Sequence, residues 1–522
     1  MKILNKIIIF LSASLFLLSC AVNPVTGERE LALITKSQEL SIGKKQYGPS
    51  RQSQGGDYTA DPKLVEYVQQ VGQRLAKVSD RKLPYEFVVI NSPVPNAWAL
   101  PGGKIAVNRG LLLELQSEAE LAAVLGHEIV HAAARHSARG MERGMLLKGV
   151  TMAAGVAIKN SSYAEYSDLA IKGTGLASNL VNHKYGRDAE RESDHFGIKY
   201  MQKAGYDPSA AIALQETFVR LSKSSGNSNW LAGLFASHPP SLERVENNKK
   251  DVANLQPGGE LGVERYKKML AHLRKVQPAY MAYEKGLVAF NKKQYTQAEK
   301  LAKQAIKIEP KEGLFYALLG DVQSKRGNKI SASDSYNKSI LASPNFFLFY
   351  EKRGELREKL GDIAGSRADI TRGASLFPTV NSYLALGRFA QRDGDKKKAV
   401  QYFRQASQSN TKNGRMAANA LVKLDLSDNP SHYLKAHFVL NKDGNLFVTV
   451  KNPTEIAVAM IGVTVFYNDS MGRKRAIPLE IDGGIAPGKA KTVSSGIASI
   501  NGQMLRQRGF QVIVDKAEVF TN

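Results

Sequence analysis

Cysteine is almost absent from this sequence of 522 residues, which has only Cys20. A single thiol excludes an intrachain disulfide and a metal site built from several cysteines. Long apolar segments are also absent: the run at residues 7–18 has twelve residues, whereas a membrane-spanning helix needs about 20. A later run, at residues 149–158, is shorter still. These absences exclude a disulfide-stabilised scaffold and predict a mature chain that is soluble apart from any lipid anchor.

Acidic residues are scarce, with 48 Asp and Glu against 72 Lys and Arg, so the net charge is +24. Such a charge favours anionic partners. The basic residues are dispersed along the chain, however, and no motif that reads nucleic acid accompanies them, so we predict no nucleic-acid partner. The hydrophobic fraction of 43% is ordinary for globular proteins, and the length predicts about three domains.

The first 19 residues have the pattern of an export signal. Lys2 and Lys6 precede the apolar run, which ends in the letters LLSC at residues 17–20. This resembles a bacterial lipoprotein signal, which implies cleavage before Cys20 and lipidation of its thiol. Because residue 21 is alanine and not aspartate, the resemblance implies sorting to the outer rather than the inner membrane. We therefore predict a periplasmic protein that is anchored through lipidated Cys20; the alternative is an ordinary signal with a chance cysteine.

Two markers recur with a period of 34 residues in the middle of the chain. They are Gly286, Gly320 and Gly354, and Pro310, Pro344 and Pro378. A fourth unit follows at Gly387, with a slip of one residue. The pattern resembles the tetratricopeptide repeat over residues 279–412, which implies an all-α solenoid of four hairpins whose groove binds a peptide or a partner protein. The alternative is a helical bundle with accidental spacing.

The C-terminal residues, 431–522, have a different pattern. Strand-like runs at residues 446–450, 463–467 and 510–514 are separated by turn signals such as the NKDG sequence at residues 441–444. Several short strands at this spacing predict a small β-sandwich. No site chemistry is visible in this region, so we interpret it as a binding or packing module.

The pattern His-Glu-Ile-Val-His lies in a segment rich in alanine and leucine. A capping-box spacing at residues 117–120 and the glycine Gly140 predict the two ends of a helix. On a helix His127 and His131 are one turn apart on the same face, where both can bind one zinc ion. Glu128 then lies beside the metal, where a general base for a water molecule is needed. Two histidines leave the metal site incomplete, so a third ligand is required.

The candidate third ligand lies in a second charged segment, at residues 187–194. Glu190 and Asp194 are one helical turn apart there, and Glu190 could complete the metal site. Asp194 could accept a hydrogen bond from the far nitrogen of a ligand histidine. Glu192 lies off that face, so we interpret it as solvated. Spacing alone leaves open that this segment is an ordinary charged helix surface.

A zinc-binding HExxH helix followed by Glu-x-x-x-Asp on a second helix is the gluzincin arrangement. Residues 21–250 resemble the HtpX-like, CAAX-protease-related family of gluzincin zinc metalloproteases, in its periplasmic lipoprotein branch. The sequences that carry the resemblance are NPVTG at residues 23–27, NAWALPGG at residues 96–103 and SHPP at residues 237–240, with Arg244 downstream. It implies an α+β metallopeptidase domain over residues 20–260. It also implies one Zn²⁺ per chain bound by His127, His131 and Glu190, with Glu128 catalytic.

The sequence leaves two features near the predicted site open. Proline follows His238, so its imidazole is predicted to extend from a loop, which the resemblance places near the metal. His238 could take the fourth position on zinc and keep the enzyme latent, donate a hydrogen bond to the oxyanion as a catalytic residue, or have no role. Residues 104–108 alternate apolar and polar side chains and are predicted to form an edge strand that pairs with an extended substrate. The alternative is a plain hairpin strand.

These patterns together predict a multidomain chain with a metallopeptidase domain, a repeat solenoid and a β-sandwich. We expect a metalloendopeptidase that hydrolyses peptide bonds with metal-activated water. The resemblance implies protein or peptide substrates and a role in cell-envelope protein quality control. The alternative is a non-catalytic lipoprotein adaptor or chaperone-like scaffold that acts through its repeats and has only a structural metal site.

Overall fold

The structure is a computed structural model that describes residues 20–148, 185–224 and 238–520. The predicted signal peptide at residues 1–19 and the apolar run at residues 149–158 lie outside the described residues. None of the described helices is long and apolar enough to span a membrane. The chain divides into two compact units, residues 1–378 and residues 379–522.

In its described residues up to 253, the first unit has five strands and eight helices. The strands are β1 (Cys20–Val22), β2 (Arg29–Leu31), β3 (Glu86–Ile90), β4 (Ala97–Leu100) and β5 (Lys104–Asn108). The helices are α1 (Lys36–Ser53), α2 (Pro62–Ala76), α3 (Arg109–Glu114), α4 (Glu118–Ala133), α5 (His136–Lys148), α6 (Arg187–Lys203), α7 (Ala210–Ser224) and α8 (Leu242–Ala253). Strands β1 and β2 pair as an antiparallel hairpin.

Strands β3, β5 and β4 form a mixed sheet in that order. Strand β5 is central, because it pairs in parallel with β3 and antiparallel with β4. All five of its residues are buried. The prediction of an edge strand at residues 104–108 is therefore wrong, and β4 lies at the edge instead.

Helix α9 (Val263–Asn291) continues the core of the first unit beyond residue 260. Tyr266, Leu270, Leu273 and Val276 are buried in the same apolar core as the helices that precede them. Tyr266 also donates a hydrogen bond to the backbone oxygen of Leu112 at 2.7 Å. The same helix contributes the first half of the first predicted repeat, so the core does not end at the predicted boundary.

Helical hairpins follow with the period that the sequence predicts. In the first unit they comprise α9 with α10 (Tyr295–Ile308), α11 (Gly313–Lys325) with α12 (Lys329–Ala342), and α13 (Phe347–Lys359) with α14 (Ile363–Leu376). A Cβ atom on Gly320 would lie 2.7 Å from the ring of Tyr336, so glycine is required where the two helices of that hairpin meet. The recurring glycine therefore has the packing role that the repeat pattern predicts.

The second unit begins with the fourth hairpin and ends in β-structure. Its helices are α15 (Val380–Arg392), α16 (Lys396–Ala406), α17 (Lys412–Asp425), α18 (Pro430–Tyr433) and α19 (Gly502–Gln507). Its strands are β6 (Lys435–Leu440), β7 (Leu446–Lys451), β8 (Val458–Asn468), β9 (Lys474–Ile481), β10 (Ala490–Ile497) and β11 (Gln511–Val519). Two antiparallel sheets, ordered β10-β7-β6 and β11-β8-β9, contribute to one apolar core. The three predicted strand-like runs coincide with β7, β8 and β11.

Candidate metal centre

Helix α4 supplies the first part of the site. At its start Ser117 accepts a hydrogen bond from the backbone N–H of Glu120 at 3.1 Å, as the predicted capping box requires. The Glu120 carboxylate accepts from the N–H of Gln116 instead of returning to Ser117. The helix ends at Ala133 and not near Gly140, because Arg135 has a φ of 61° and turns the chain before α5 begins at His136.

His127 and His131 lie on one face of α4, as the spacing predicts. Their Nε2 atoms are 3.0 Å apart. The two side chains are 12% and 0% exposed, respectively. Two buried imidazole nitrogens at this distance would face each other unfavourably without a shared proton or a cation between them, which makes them candidate metal ligands.

Helix α6 brings Glu190 to these histidines. Gly126 of α4 faces Gly197 of α6, and a Cβ on Gly197 would lie 3.1 Å from the backbone nitrogen of His127. The absence of that Cβ lets the helices approach closely, so the Glu190 carboxylate lies 3.3 Å from His131 Nε2 and 3.6 Å from His127 Nε2. The structure thus brings together the three residues that the sequence predicts as ligands.

The three side chains fit a zinc ion in size and in charge. With bonds of about 2.0–2.1 Å, tetrahedral ligand atoms are about 3.3–3.4 Å apart, close to the separations of 3.0 to 3.6 Å found here. Burial lowers the pKa of His131 well below its ordinary value, which keeps the imidazole neutral. Burial alone would raise the pKa of Glu190, but His238, His127 and His131 hold it well below its usual range. Neutral imidazole and ionised carboxylate are the forms that bind metal.

Glu128 lies beside this cluster in a different environment. Its Oε2 atom is buried and has no hydrogen-bond partner among the described residues. Its Oε1 atom is 3.4 Å from His238 Nε2. Burial raises the pKa of Glu128, with the nearby imidazoles of His238 and His127 opposing that shift. A buried carboxylate with a raised pKa and an oxygen that lacks a hydrogen-bond partner is suited to accepting and releasing a proton.

His238 reaches the cluster from the loop that precedes α8, consistent with the proline that follows it. Its Nδ1 atom lies 3.0 Å from the Glu190 carboxylate and 3.3 Å from His127 Nε2. One atom from each of His127, His131, Glu190 and His238 lies within 4.8 Å of all the others. His238 is therefore positioned as a fourth possible ligand, and not as a remote loop residue.

Asp194 backs His127 in the way the sequence suggests. Its Oδ1 atom lies 2.9 Å from His127 Nδ1, the nitrogen that faces away from the cluster. Arg244 of α8 donates two hydrogen bonds of 2.7 Å to the Asp194 carboxylate. A third nitrogen of the same guanidinium lies 2.9 Å from Glu190. Arg244 thus fixes Asp194 and Glu190 together, a role that the sequence did not reveal.

Glu192 is not solvated, and that interpretation is wrong. Its side chain is 14% exposed and lies 3.3 Å from Nε2 of His136. His136 is buried, and its Nδ1 lies 2.7 Å from Nδ1 of His131.

The sequence missed the contact of His136 with His131, and it also missed Tyr185, whose ring stacks on His131 with a centroid separation of 3.8 Å. Neither His136 nor Tyr185 has helical spacing to the ligands, so no local sequence pattern could have identified these two residues.

A cavity adjoins the cluster on the side of Glu128. His127, Glu128 and His238 line part of it. The rest of its wall is mostly apolar and includes Val124, Ile198, Leu214 and Phe218. An apolar recess beside a buried carboxylate and a metal site can receive an uncharged side chain next to the reacting atoms.

Comparison with known proteins identifies the family of the region that contains this site. The sequence pattern of Peptidase family M48 matches residues 62–251. The tetratricopeptide repeat pattern matches residues 279–312 and 380–413, two of the four predicted units.

Three curated relatives share this region. A protein of Vibrio cholerae assigned as a beta-barrel assembly-enhancing protease is 30% identical over 57% of this chain and 66% of its own length. The mitochondrial metalloendopeptidase OMA1 of Schizosaccharomyces pombe is 33% identical over 34% of this chain and 50% of its own length. The metalloprotease YcaL of Escherichia coli is 29% identical over 35% of this chain and 70% of its own length. The chain thus covers between 50% and 70% of the length of these three relatives.

Proposed function

The chain belongs to peptidase family M48, and from that membership we propose that it is a zinc-dependent metalloendopeptidase. The observation that carries the proposal is the juxtaposition of a three-residue metal site with Glu128. A purely structural zinc site has no use for a buried carboxylate with an unpartnered oxygen beside the ligands. The same feature disfavours the alternative, a non-catalytic adaptor with a structural metal.

His127, His131 and Glu190 would hold the zinc, and the residues around these ligands have separate tasks. Bound zinc would polarise the scissile carbonyl and acidify a water molecule. Glu128 accepts the proton of the attacking water and returns it to the leaving amine, because its Oε2 atom has no hydrogen-bond partner among the described residues and its pKa is raised. Asp194 keeps the proton of His127 on Nδ1, so that Nε2 is available to the metal.

His238 is proposed to occupy the fourth position on zinc and to keep the enzyme latent. Its distances to His127 and Glu190 are those of a fellow ligand. A donor to the oxyanion would instead have to remain free of the metal. His238→Ala separates the roles by sign: protease activity rises if the imidazole is a plug and falls by about 10²–10³-fold if it stabilises the transition state. Unchanged activity would mean that His238 has neither role.

Substrate is proposed to bind along β4 and not along β5. Among the described residues β4 pairs only with β5, so its other edge has no strand partner. Its four residues are at most 2% exposed, so an extended peptide would pair with this edge only after the groups that cover it move aside. Tyr185 connects this strand to the metal site, since its hydroxyl donates to the Ala99 backbone oxygen at 3.4 Å and its ring stacks on His131. A peptide paired with β4 would therefore pass close to Glu128 and the ligands.

The setting of the activity is proposed from the sequence and the relatives' names. We propose a periplasmic protein, anchored to the outer membrane through lipidated Cys20, that cleaves misassembled envelope proteins. The name of the Vibrio cholerae relative refers to β-barrel assembly, which supports that substrate class. The helical hairpins would bind a substrate or a partner protein in their groove, and the C-terminal sheets would form a small β-sandwich used for binding or packing.

The experiment combines activity with metal content. Purified protein should contain about one zinc per chain and cleave an unfolded protein such as casein, and a chelator should abolish cleavage until zinc is returned. Glu128→Gln should keep the zinc but lose activity by about 10²–10⁴-fold, because the base is lost while the ligands stay. Full activity of Glu128→Gln would contradict the proposal.

A further inference from the structure

The far nitrogen of His131 points at another histidine. His131 Nε2 faces Glu190 and His127, so Nδ1 faces away from the cluster and lies 2.7 Å from Nδ1 of His136. If Nε2 of His131 binds a metal, Nδ1 carries the proton and donates it to His136 Nδ1, which must then be unprotonated. This tautomer is assigned from the hydrogen-bond network, and it leaves the proton of His136 on Nε2.

The next group in the chain of contacts is a carboxylate that lies close to that N–H. His136 Nε2 lies 3.3 Å from Glu192 Oε2. The other oxygen of Glu192 accepts a hydrogen bond from Asn23 Nδ2 at 3.1 Å. Arg139 Nη1 lies 3.6 Å from the same carboxylate. Glu192 is thus held between groups that favour its ionised form and direct it at His136.

Asn23 is itself fixed by the N-terminal hairpin. Its Oδ1 atom accepts from the backbone N–H of Val25 at 2.9 Å, which forms the turn between β1 and β2. Its Nδ2 also donates to Glu30 at 2.8 Å. Asn23 is 2% exposed, so its amide cannot turn to solvent. The turn thereby fixes the donor that meets Glu192.

We propose that His136, Glu192 and Asn23 are positioning residues for the metal ligand His131. Asn23 and Arg139 orient Glu192, Glu192 fixes the tautomer of His136, and His136 fixes the tautomer and the ring plane of His131. The inference rests on the proposed zinc site but not on the proposed peptidase activity. It gives the NPVTG turn at residues 23–27 a function, which is to support a metal ligand far away in sequence.

Purely structural residues would behave differently from positioning residues. If the buried groups only stabilised the fold, their replacement would lower the free energy of unfolding of zinc-free protein and leave the affinity for zinc unchanged. Positioning residues affect the metal itself, since the orientation and basicity of a ligand histidine depend on the group behind it. Zinc affinity and the spectrum of a substituted metal therefore distinguish the two roles.

Four variants of the full chain test the proposal. His136→Leu removes the acceptor, whereas His136→Asn keeps a polar atom close to the Nδ1 position. Glu192→Gln removes the charge. Asn23→Asp keeps the turn but replaces the N–H donors with a carboxylate oxygen that faces Glu192 and Glu30. The matched control is His195→Leu, also on α6, whose imidazole pairs with Asp251 at 2.8 Å and is 40% exposed, away from the cluster.

Zinc affinity is measured by competition with a chromogenic chelator, and the visible spectrum is recorded after Co²⁺ replaces zinc. His136→Leu should bind zinc about 10–100-fold more weakly and shift the Co²⁺ bands, and His136→Asn should recover part of both. Glu192→Gln should lose less zinc affinity than His136→Leu, and Asn23→Asp should lose less than Glu192→Gln. Both act on the metal only through His136. His195→Leu should match the unmodified protein.

Unchanged zinc affinity and Co²⁺ spectrum in both His136→Leu and Glu192→Gln would overturn the proposal. If His136→Leu does not fold, Glu192→Gln and Asn23→Asp decide it in the same assay. Failure of the proposed function is recognised separately, because it would appear as no cleavage by unmodified, zinc-loaded protein. Zinc affinity can be measured whether or not the protein cleaves anything.

Discussion

His127 and His131 stand one turn apart on the same helix, yet the groups behind their far nitrogens are different. Behind His127 is a carboxylate, Asp194, which is paired with Arg244. Behind His131 is a second imidazole, His136, and the carboxylate Glu192 lies one step further away. The first support places a carboxylate next to the ligand, and the second places an imidazole ring there.

The support behind His127 (Asp194 and Arg244) and the support behind His131 (His136 and Glu192) are joined to the rest of the chain in different ways. A carboxylate buried beside a ligand needs a counter-ion, and Arg244 serves Asp194 and the ligand Glu190 together. An imidazole has a second ring nitrogen that can contact a further group, so the second support extends through Glu192 to Asn23 in the N-terminal hairpin. One support stays within helices α6 and α8, whereas the other joins the first residues of the described chain to the metal site.

The largest expected effect on zinc binding comes from shortening the chain. Both supports are complete by residue 253, so a chain that ends near residue 260 keeps every group compared here. It loses α9, however, whose buried Tyr266, Leu270, Leu273 and Val276 each contribute roughly 1.5–3 kcal/mol. Their sum is comparable to the whole stability of a typical domain. We expect the short chain to bind no zinc and a chain that ends at residue 378 to bind it, as measured by metal analysis. Normal zinc content in the short chain would show that α9 is dispensable.

The next effect tests the charged support. Arg244→Leu leaves Glu190 and Asp194 buried without their counter-ion, which should lower the free energy of unfolding by about 3–5 kcal/mol. Arg139→Leu makes the corresponding change behind His131, where the guanidinium is 23% exposed, and should cost less. Urea unfolding of zinc-free protein measures both. Equal costs would mean that the two supports do not differ in their dependence on charge.

A smaller effect on zinc affinity is expected when either carboxylate behind the histidines, Asp194 or Glu192, is neutralised. Asp194→Asn should weaken zinc binding by about 10–100-fold, because Asp194 contacts a ligand directly. Glu192→Gln should weaken it less, because Glu192 acts only through His136. The sequence led us to interpret Glu192 as solvated, and its burial overturns that interpretation. Chelator competition gives both affinities, and a larger loss for Glu192→Gln would reverse the ranking.

The smallest effect is expected from a control substitution on helices α6 and α8, which carry Asp194 and Arg244. Arg191 of α6 and Glu243 of α8 form an ion pair at 2.6 Å that is about half exposed on both sides. Exposed pairs contribute little because water screens them. Glu243→Gln should leave zinc affinity and the urea midpoint unchanged. A measurable loss of zinc would indicate that any disturbance between α6 and α8 reaches the metal, and would weaken the case for Asp194 and Arg244 as specific supports.

The sequence predicted the residues that obey a helical period. His127, Glu128 and His131 on one helix, and Glu190 with Asp194 on another, could be placed by spacing. His136 could not, because its approach to His131 depends on the left-handed backbone of Arg135. That conformation is held by the Arg135 side chain, which donates to the Ile34 backbone oxygen at 2.7 Å and pairs with Glu142.

Contacts between distant segments were also beyond local patterns. Asn23 and Arg244 stood out only through the family resemblance, since nothing local relates them to the ligands. The position of β5 between β3 and β4 depends on strand pairing, which alternation along one strand does not reveal. The repeats and several C-terminal strands were predictable because their signals, a fixed period and short apolar runs between turns, are local.

The position of zinc tests the central claim most directly. Crystals of zinc-loaded protein should give one anomalous peak at the zinc absorption edge, in contact with Nε2 of His127, Nε2 of His131 and the carboxylate of Glu190, and with the imidazole of His238 in the fourth position. The far nitrogens of the two histidines should face Asp194 and His136. The absence of a peak at this position, or a zinc ion bound by other residues, would contradict the account of the site and of both its supports.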